Sequence, residues 1–130
     1  MFTLEQINAA HSVVKSGADF PVYVQALIAL GVRHYDSFVA DGHAEYQGTD
    51  GSVVHSEPMY PPLTIAQGSD AVALGTALAE HQAGETDYFT FCQDAAAAGV
   101  EKWRVDTVAM TCTYLDHADG VLLTETIPTA

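Results

Sequence analysis

Sliding the chain along itself by 68 positions brings Asp19 onto Asp87, Phe20 onto Tyr88, Tyr23 onto Phe91 and Gln25 onto Gln93. In the same register Gly31-Val32 meets Gly99-Val100, Tyr35 meets Trp103 and Tyr46 meets Tyr114. The Asp50-Gly51 pair meets Asp119-Gly120 after a one-residue insertion. These are helix caps, chain-stopping glycines and large aromatics, the residue types that set where elements begin, end and bury. Such agreement restricts the chain to two related copies of one unit. It predicts a tandem duplication arranged about an approximate twofold axis.

Local signals define the unit. Thr3 and Gln6 form a capping box, with Phe2 and Ile7 at the staple positions around it. Leu4, Ile7, His11 and Val14 share one helical face, and Gly17 is placed to end that helix. Asp19 is expected to cap a second helix, with Pro21 in its first turn and Phe20, Tyr23, Val24, Leu27 and Ile28 as its buried stripe, closed by Gly31. After Gly31 the pattern becomes extended: strands are predicted over 32–39, over 43–48 and near Val53 and Val54, separated by Asp-Gly turns. The stretch 57–68 holds Pro58, Pro61 and Pro62 and reads as a connector. The order then repeats. Ser69 or Asp70 opens a helix carrying Val72, Leu74 and Leu78, and Asp87 caps one carrying Tyr88, Phe91, Cys92 and Ala95. Strands follow over 100–107, 110–115 and 121–127. The expected fold is α+β: one domain over 1–130, copy one about 2–56 and copy two about 69–128, with antiparallel meander sheets packed against four helices.

Composition narrows the function classes. Four Lys+Arg against 17 Asp+Glu leave a net charge of −13, spread along the chain as a solvated surface. That charge repels phosphate backbones and anionic bilayers, which argues against nucleic acid and membrane as partners. An acidic mimic would need carboxylates aligned at phosphate-like spacing, and no such run is present. The first residues lack the basic start and apolar stretch of a secretion signal. Cys92 and Cys112 stand 20 apart without a C-x-x-C, so they read as reduced thiols and the expected compartment is the cytoplasm.

The clearest cluster with chemical potential is His81 with Glu80, Glu85, Asp87 and Cys92. An imidazole oriented by a carboxylate lowers a thiol's pKa and makes it a nucleophile, and a tight helix hairpin would bring His81 to Cys92. Against that, Asp87 serves as a cap, and Cys92 aligns with the apolar Val24 of the other copy. His11 and His81 precede the capping Asp19 and Asp87 by similar intervals, so two symmetric copies would turn both toward a shared cleft; each also suits a partly buried helix histidine. Tyr35 and Trp103 are further candidates for that pocket, although their repetition argues for a core role first. The Asp41-Gly42-His43 and Asp116–Asp119 segments hold metal-ligand types but also fit hairpin turns, and H-x-x-x-H and H-E-x-x-H are absent. No metal and no cofactor is therefore expected. Ser52 and Ser56 lack a glycine elbow. Gly75, among small helix residues, suggests a close helix contact, while Lys102 and Arg104 lie on the strand face opposite Trp103 as a local basic spot.

The segments FVADGH (38–43), TDYFTFC (86–92), AGVEKWRVD (98–106) and MTCTY (110–114) resemble a domain-of-unknown-function family of small bacterial proteins sometimes labelled "phage envelope protein". The resemblance runs over almost the whole chain. It implies a bacterial or prophage-associated origin and brings no activity and no catalytic residues. The leading expectation is a small cytoplasmic interaction protein, binding an unknown protein partner or forming a homodimer through a strand edge or helix face. The competing class is an enzyme or small-molecule binder with a pocket between the copies, near His81 and Cys92. An interaction protein calls for a contiguous exposed apolar patch; an enzyme calls for a depressed Cys92 pKa and a cleft lined by both copies.

Overall fold

The computed structural model describes residues 2–12, 14 and 19–127. Four helices are present, α1 (Leu4–His11), α2 (Phe20–Leu30), α3 (Ala71–Gln82) and α4 (Tyr88–Ala97). The strands are β1 (Val32–Phe38), β2 (Ala44–Gly48), β3 (Val53–His55), β4 (Lys102–Asp106), β5 (Thr111–Leu115) and β6 (Val121–Thr126). The class is α+β. The antiparallel meanders join into one six-stranded sheet in the order β3-β2-β1-β4-β5-β6, a pairing the sequence left open. Each half is a hairpin-linked meander, and the two join edge to edge through β1 and β4, so the order reads the same outward from that seam in both directions.

Caps account for the helix boundaries. The Thr3/Gln6 box is complete, with the Thr3 hydroxyl accepting from the Gln6 amide. Asp70 and Asp87 accept from the amides of Ala73 and Thr90. Asp19 occupies the equivalent place before α2 but makes no side-chain capping bond. α1 ends at His11, one turn earlier than its apolar spacing suggests, and Gly17 lies outside the described residues. Gly31 closes α2 at φ 92°, in the left-handed region that glycine enters without a Cβ penalty.

Alternation along the strands decides which face is covered. Ala44, Tyr46, Trp103, Val105, Cys112 and Tyr114 are buried, while the intervening residues are only half-buried. The buried set faces the helices and forms one core with Ile7, Val24, Leu27, Leu74, Phe91 and Cys92. Three expected core positions are exposed instead: Ile28 sits beyond the edge of the α2 stripe, Val72 lies in the first turn of α3, and Tyr88 opens α4 with 40% of its surface exposed. Nothing lies within 4 Å of the space a side chain at Gly75 would fill, so no close helix contact is made there.

On the opposite face the seam is held by charge. Asp36 pairs directly with Arg104 across β1 and β4. Arg104 donates from Nε to Oδ1 at 2.7 Å and from Nη2 to Oδ2 at 2.9 Å, a bidentate fork. Lys102 Nζ adds a contact to Oδ2 at 3.5 Å. The basic spot read from Lys102 and Arg104 is thus largely neutralised by a buried aspartate. Burial pushes the Asp36 carboxyl up, but the hydrogen bonds and charge of Arg104, with Lys102 beside it, outweigh that and hold it below the usual carboxylate range.

The connector is pinned to both halves. Leu63 donates its amide to Ala40, Tyr60 its hydroxyl to Val39, and Ala66 its amide to Ala96. No described helix is long and apolar enough to cross a membrane.

Candidate functional site

Under the helices, on the buried face of the sheet, lies a cleft of about 1530 Å³ walled by residues of both halves. Two matching series of rings line it. In the first half His11 of α1 meets Tyr23 of α2 edge-on at 5.2 Å, Tyr23 meets Tyr35 of β1 at 6.3 Å, and Tyr35 meets Tyr46 of β2 at 5.1 Å. In the second half His81 of α3 stacks on Phe91 of α4 at 4.9 Å, Phe91 meets Trp103 of β4 at 5.7 Å, and Trp103 meets Tyr114 of β5 at 5.8 Å. Each series runs helix, helix, strand, strand. All eight residues line the cleft.

His11, His81, Tyr35 and Trp103 are thus brought to one cavity. Tyr23, Tyr46, Phe91 and Tyr114 also line it. Sequence matching marked those four as core aromatics, and burial periodicity carries no signal that separates a sealed core from a cavity wall. A smaller hollow of about 410 Å³ between α3 and α4 is walled mostly by alanines with Thr76, Glu80 and Asp94, and holds neither ring nor imidazole.

The polar groups of the cleft are mostly neutral. Tyr23 and Tyr46 share a hydrogen bond between hydroxyls at 3.4 Å. Burial raises the pKa of Tyr23, Tyr35, Tyr46 and Tyr114, so each keeps its proton across the physiological range. The Tyr35 hydroxyl and the Trp103 indole N–H make no hydrogen bond among the described residues. Neither is sealed away, because among the described residues no buried side-chain nitrogen or oxygen lacks a partner. Both atoms therefore touch the open space of the cleft. His81 directs Nδ1 at the Thr86 carbonyl at 3.1 Å and at its hydroxyl at 3.3 Å.

Cys92 belongs to a different environment from His81. Its thiol is fully buried beside the hydroxyls of Tyr60 and Tyr88. Burial raises its pKa, and the two hydroxyls only partly offset that. This is the opposite of the activation that a thiol nucleophile requires. The carboxyl of Asp87, one of the three in the cluster with His81, is held below its usual range first by its hydrogen bonds to Thr90. Cys112 is likewise buried, with its thiol pushed up to about 12. Both cysteines are free.

The loops weighed as metal ligands are organised around their own backbone. Asp116 accepts from the amides of Ala118 and Gly120 and from the Ser69 hydroxyl. Asp41 accepts from the His43 amide at 3.0 Å and pairs with its imidazole, which stacks flat on Phe38 at 4.4 Å. Among the described residues no group of three or more His, Cys, Asp or Glu is placed to hold a metal ion.

Similarity to other proteins runs through these same elements. The chain is 32% identical over 101 residues to an uncharacterised protein, Mb2035, of Mycobacterium bovis, and equally to Rv2012 of Mycobacterium tuberculosis. The match covers 77% of this chain and 62% of each relative, so the chain spans less than two thirds of the length of these curated relatives. Residues 8–126, from α1 to the end of β6, match the family described as protein of unknown function DUF1398, and the chain belongs to that family.

Proposed function

We propose that the protein binds a small organic molecule in the cleft between its two halves. The observation that carries this is the pair of ring series, one from each half, meeting a cavity into which two polar atoms, the Tyr35 hydroxyl and the Trp103 N–H, open without a protein partner. Large concave sites walled by aromatics with a few convergent polar groups are the common form of small-molecule sites. A protein-docking role finds less support. The large exposed apolar residues are spread over separate elements, with Val22 and Ile28 on α2, Val53 on β3, Met59 in the connector, Val72 on α3, Tyr88 and Phe89 on α4, Val108 between β4 and β5, and Val121 on β6. Binding fits better than thiol catalysis, since burial keeps Cys92 protonated.

Two further elements belong to this reading. A cytoplasmic location is supported by the two free thiols. A tandem duplication is supported by the seam, where Asp36 and Arg104, separated by the repeat length of 68, pair with each other. A residue on a twofold axis faces its own copy, and a duplicated chain is free to make the two copies opposite in charge.

The test is a thermal-melt screen against a metabolite panel, followed by the emission of Trp103, the sole tryptophan. A ligand at about 100 times its dissociation constant adds about 2.7 kcal/mol, a melting shift of several degrees. The expected result is a hit that also moves Trp103 emission and weakens in Tyr35→Phe and His81→Ala proteins that remain folded. A panel that leaves melting and emission unchanged overturns the proposal.

A further inference from the structure

We infer that the ligand is an organic cation: a protonated or quaternary amine carried on an apolar or aromatic body. This rests on the cleft being a ligand site and adds its charge selectivity. The chain has four Lys and Arg residues, and no described one lines the cleft. Arg33 is exposed on β1, and Lys102 and Arg104 are engaged with Asp36 on the far side of the sheet. Lys15 lies outside the described residues. In contrast, three carboxylates line the cleft from three separate elements: Glu57 of the connector, Asp87 at the start of α4 and Glu125 of β6.

An anionic ligand would leave its hydration shell to enter a cavity that no described Lys or Arg faces, against a protein of net charge −13. A cation gains from both. The lining rings add a third attraction, since the faces of Tyr, Trp and Phe carry the negative end of the ring quadrupole. Because the tyrosine hydroxyls stay protonated, they act as neutral donors and acceptors. The amine answers the lining carboxylates, and an acceptor on the ligand's body meets the Tyr35 hydroxyl and the Trp103 N–H.

The experiment uses matched probes on the whole protein. Phenyl, indolyl and naphthyl bodies each carry an ethylammonium, an ethyl or a propionate tail, and binding is read by calorimetry and Trp103 emission. The expected order is cation, then neutral, then anion, with the cation at least tenfold tighter than the anion, about 1.4 kcal/mol. Added salt should narrow the gap. A Glu57→Gln, Asp87→Asn, Glu125→Gln protein should lose most of the cation preference while still binding the neutral probe. Asn keeps the α4 cap, so this protein should fold. Equal binding of all three tails, or an unchanged order in the triple variant, overturns the charge inference and leaves the cleft as a ligand site. Failure of every body and tail to bind at millimolar concentration overturns both.

Discussion

Asp36 is 7% exposed and ionised, and its charge is tolerated because a guanidinium fork and an ammonium answer it. Removing one partner of such a pair costs more than the pair contributes, because the survivor keeps its desolvation penalty. Arg104→Met should therefore destabilise the protein by about 2 kcal/mol, below the usual range for a buried pair because Lys102 remains close. Chemical denaturation measures this. The exchange Asp36→Arg with Arg104→Asp should recover much of the loss, because the seam places the two positions opposite each other; a double-mutant cycle showing no recovery would count against that equivalence. The pH dependence has a definite sign. The folded pKa of Asp36 lies below its unfolded value, so its stabilisation is complete above about pH 4 and is lost as pH falls through the folded value. Melts between pH 2 and 5 should show a shallower acid decline for Asp36→Asn. Part of the decline should remain, since Asp41, Asp50, Asp87 and Asp116 are also lowered.

Elements were the most legible level of this sequence. Caps such as Thr3, Asp70 and Asp87, and stops such as Gly31 and Gly99, act within a few residues of where they stand, so element order is legible in the sequence, and most bounds with it, the end of α1 excepted. What failed was tertiary. Ile28 and Val72 obey helical periodicity yet face solvent, because periodicity marks a face and not how far the neighbouring elements cover it. Joining of the two meanders was not legible either, since hydrophobic alternation marks a strand's faces and says nothing about which edge it uses. The candidate site follows the same division. The repeat pointed to His11, His81, Tyr35 and Trp103, while the cavity uniting them with Tyr23 and Phe91 depends on how helices seat on the sheet. Gly99 shows what an element boundary demands. It has φ 88°, and an added Cβ would stand 2.3 Å from the Gly68 carbonyl oxygen, which is backbone. Gly99→Ala should cost more than about 2 kcal/mol, whereas Gly51→Ala, at similar φ but in open space, should cost only about 1 kcal/mol for the left-handed backbone. Equal losses on denaturation would remove the steric account.

At the scale of the whole molecule, every one of the six tyrosines has its pKa raised by burial. A phenol that ionises freely only after unfolding stabilises the fold below its ordinary value of 10.0 and withdraws that support as pH rises above it. Tyrosinate absorbance should therefore stay low until the protein unfolds in alkali, then rise in one step coincident with the loss of circular dichroism. A gradual titration centred near the ordinary value, with the fold intact, would contradict the packing of the ring series. The seam has a consequence for how the chain reaches this state. Four of the five strand pairings join neighbours in sequence, and only β1 with β4 joins the two halves. Local meanders form quickly and the distant pairing last, because loop closure must precede its reward. Until then each half presents an unpaired strand edge, which a second molecule's matching half can fill as well as its own. Refolding at high protein concentration should therefore yield exchanged dimers, with the segment 57–68 as the hinge, while refolding from dilute solution yields monomers, a difference that size-exclusion chromatography resolves.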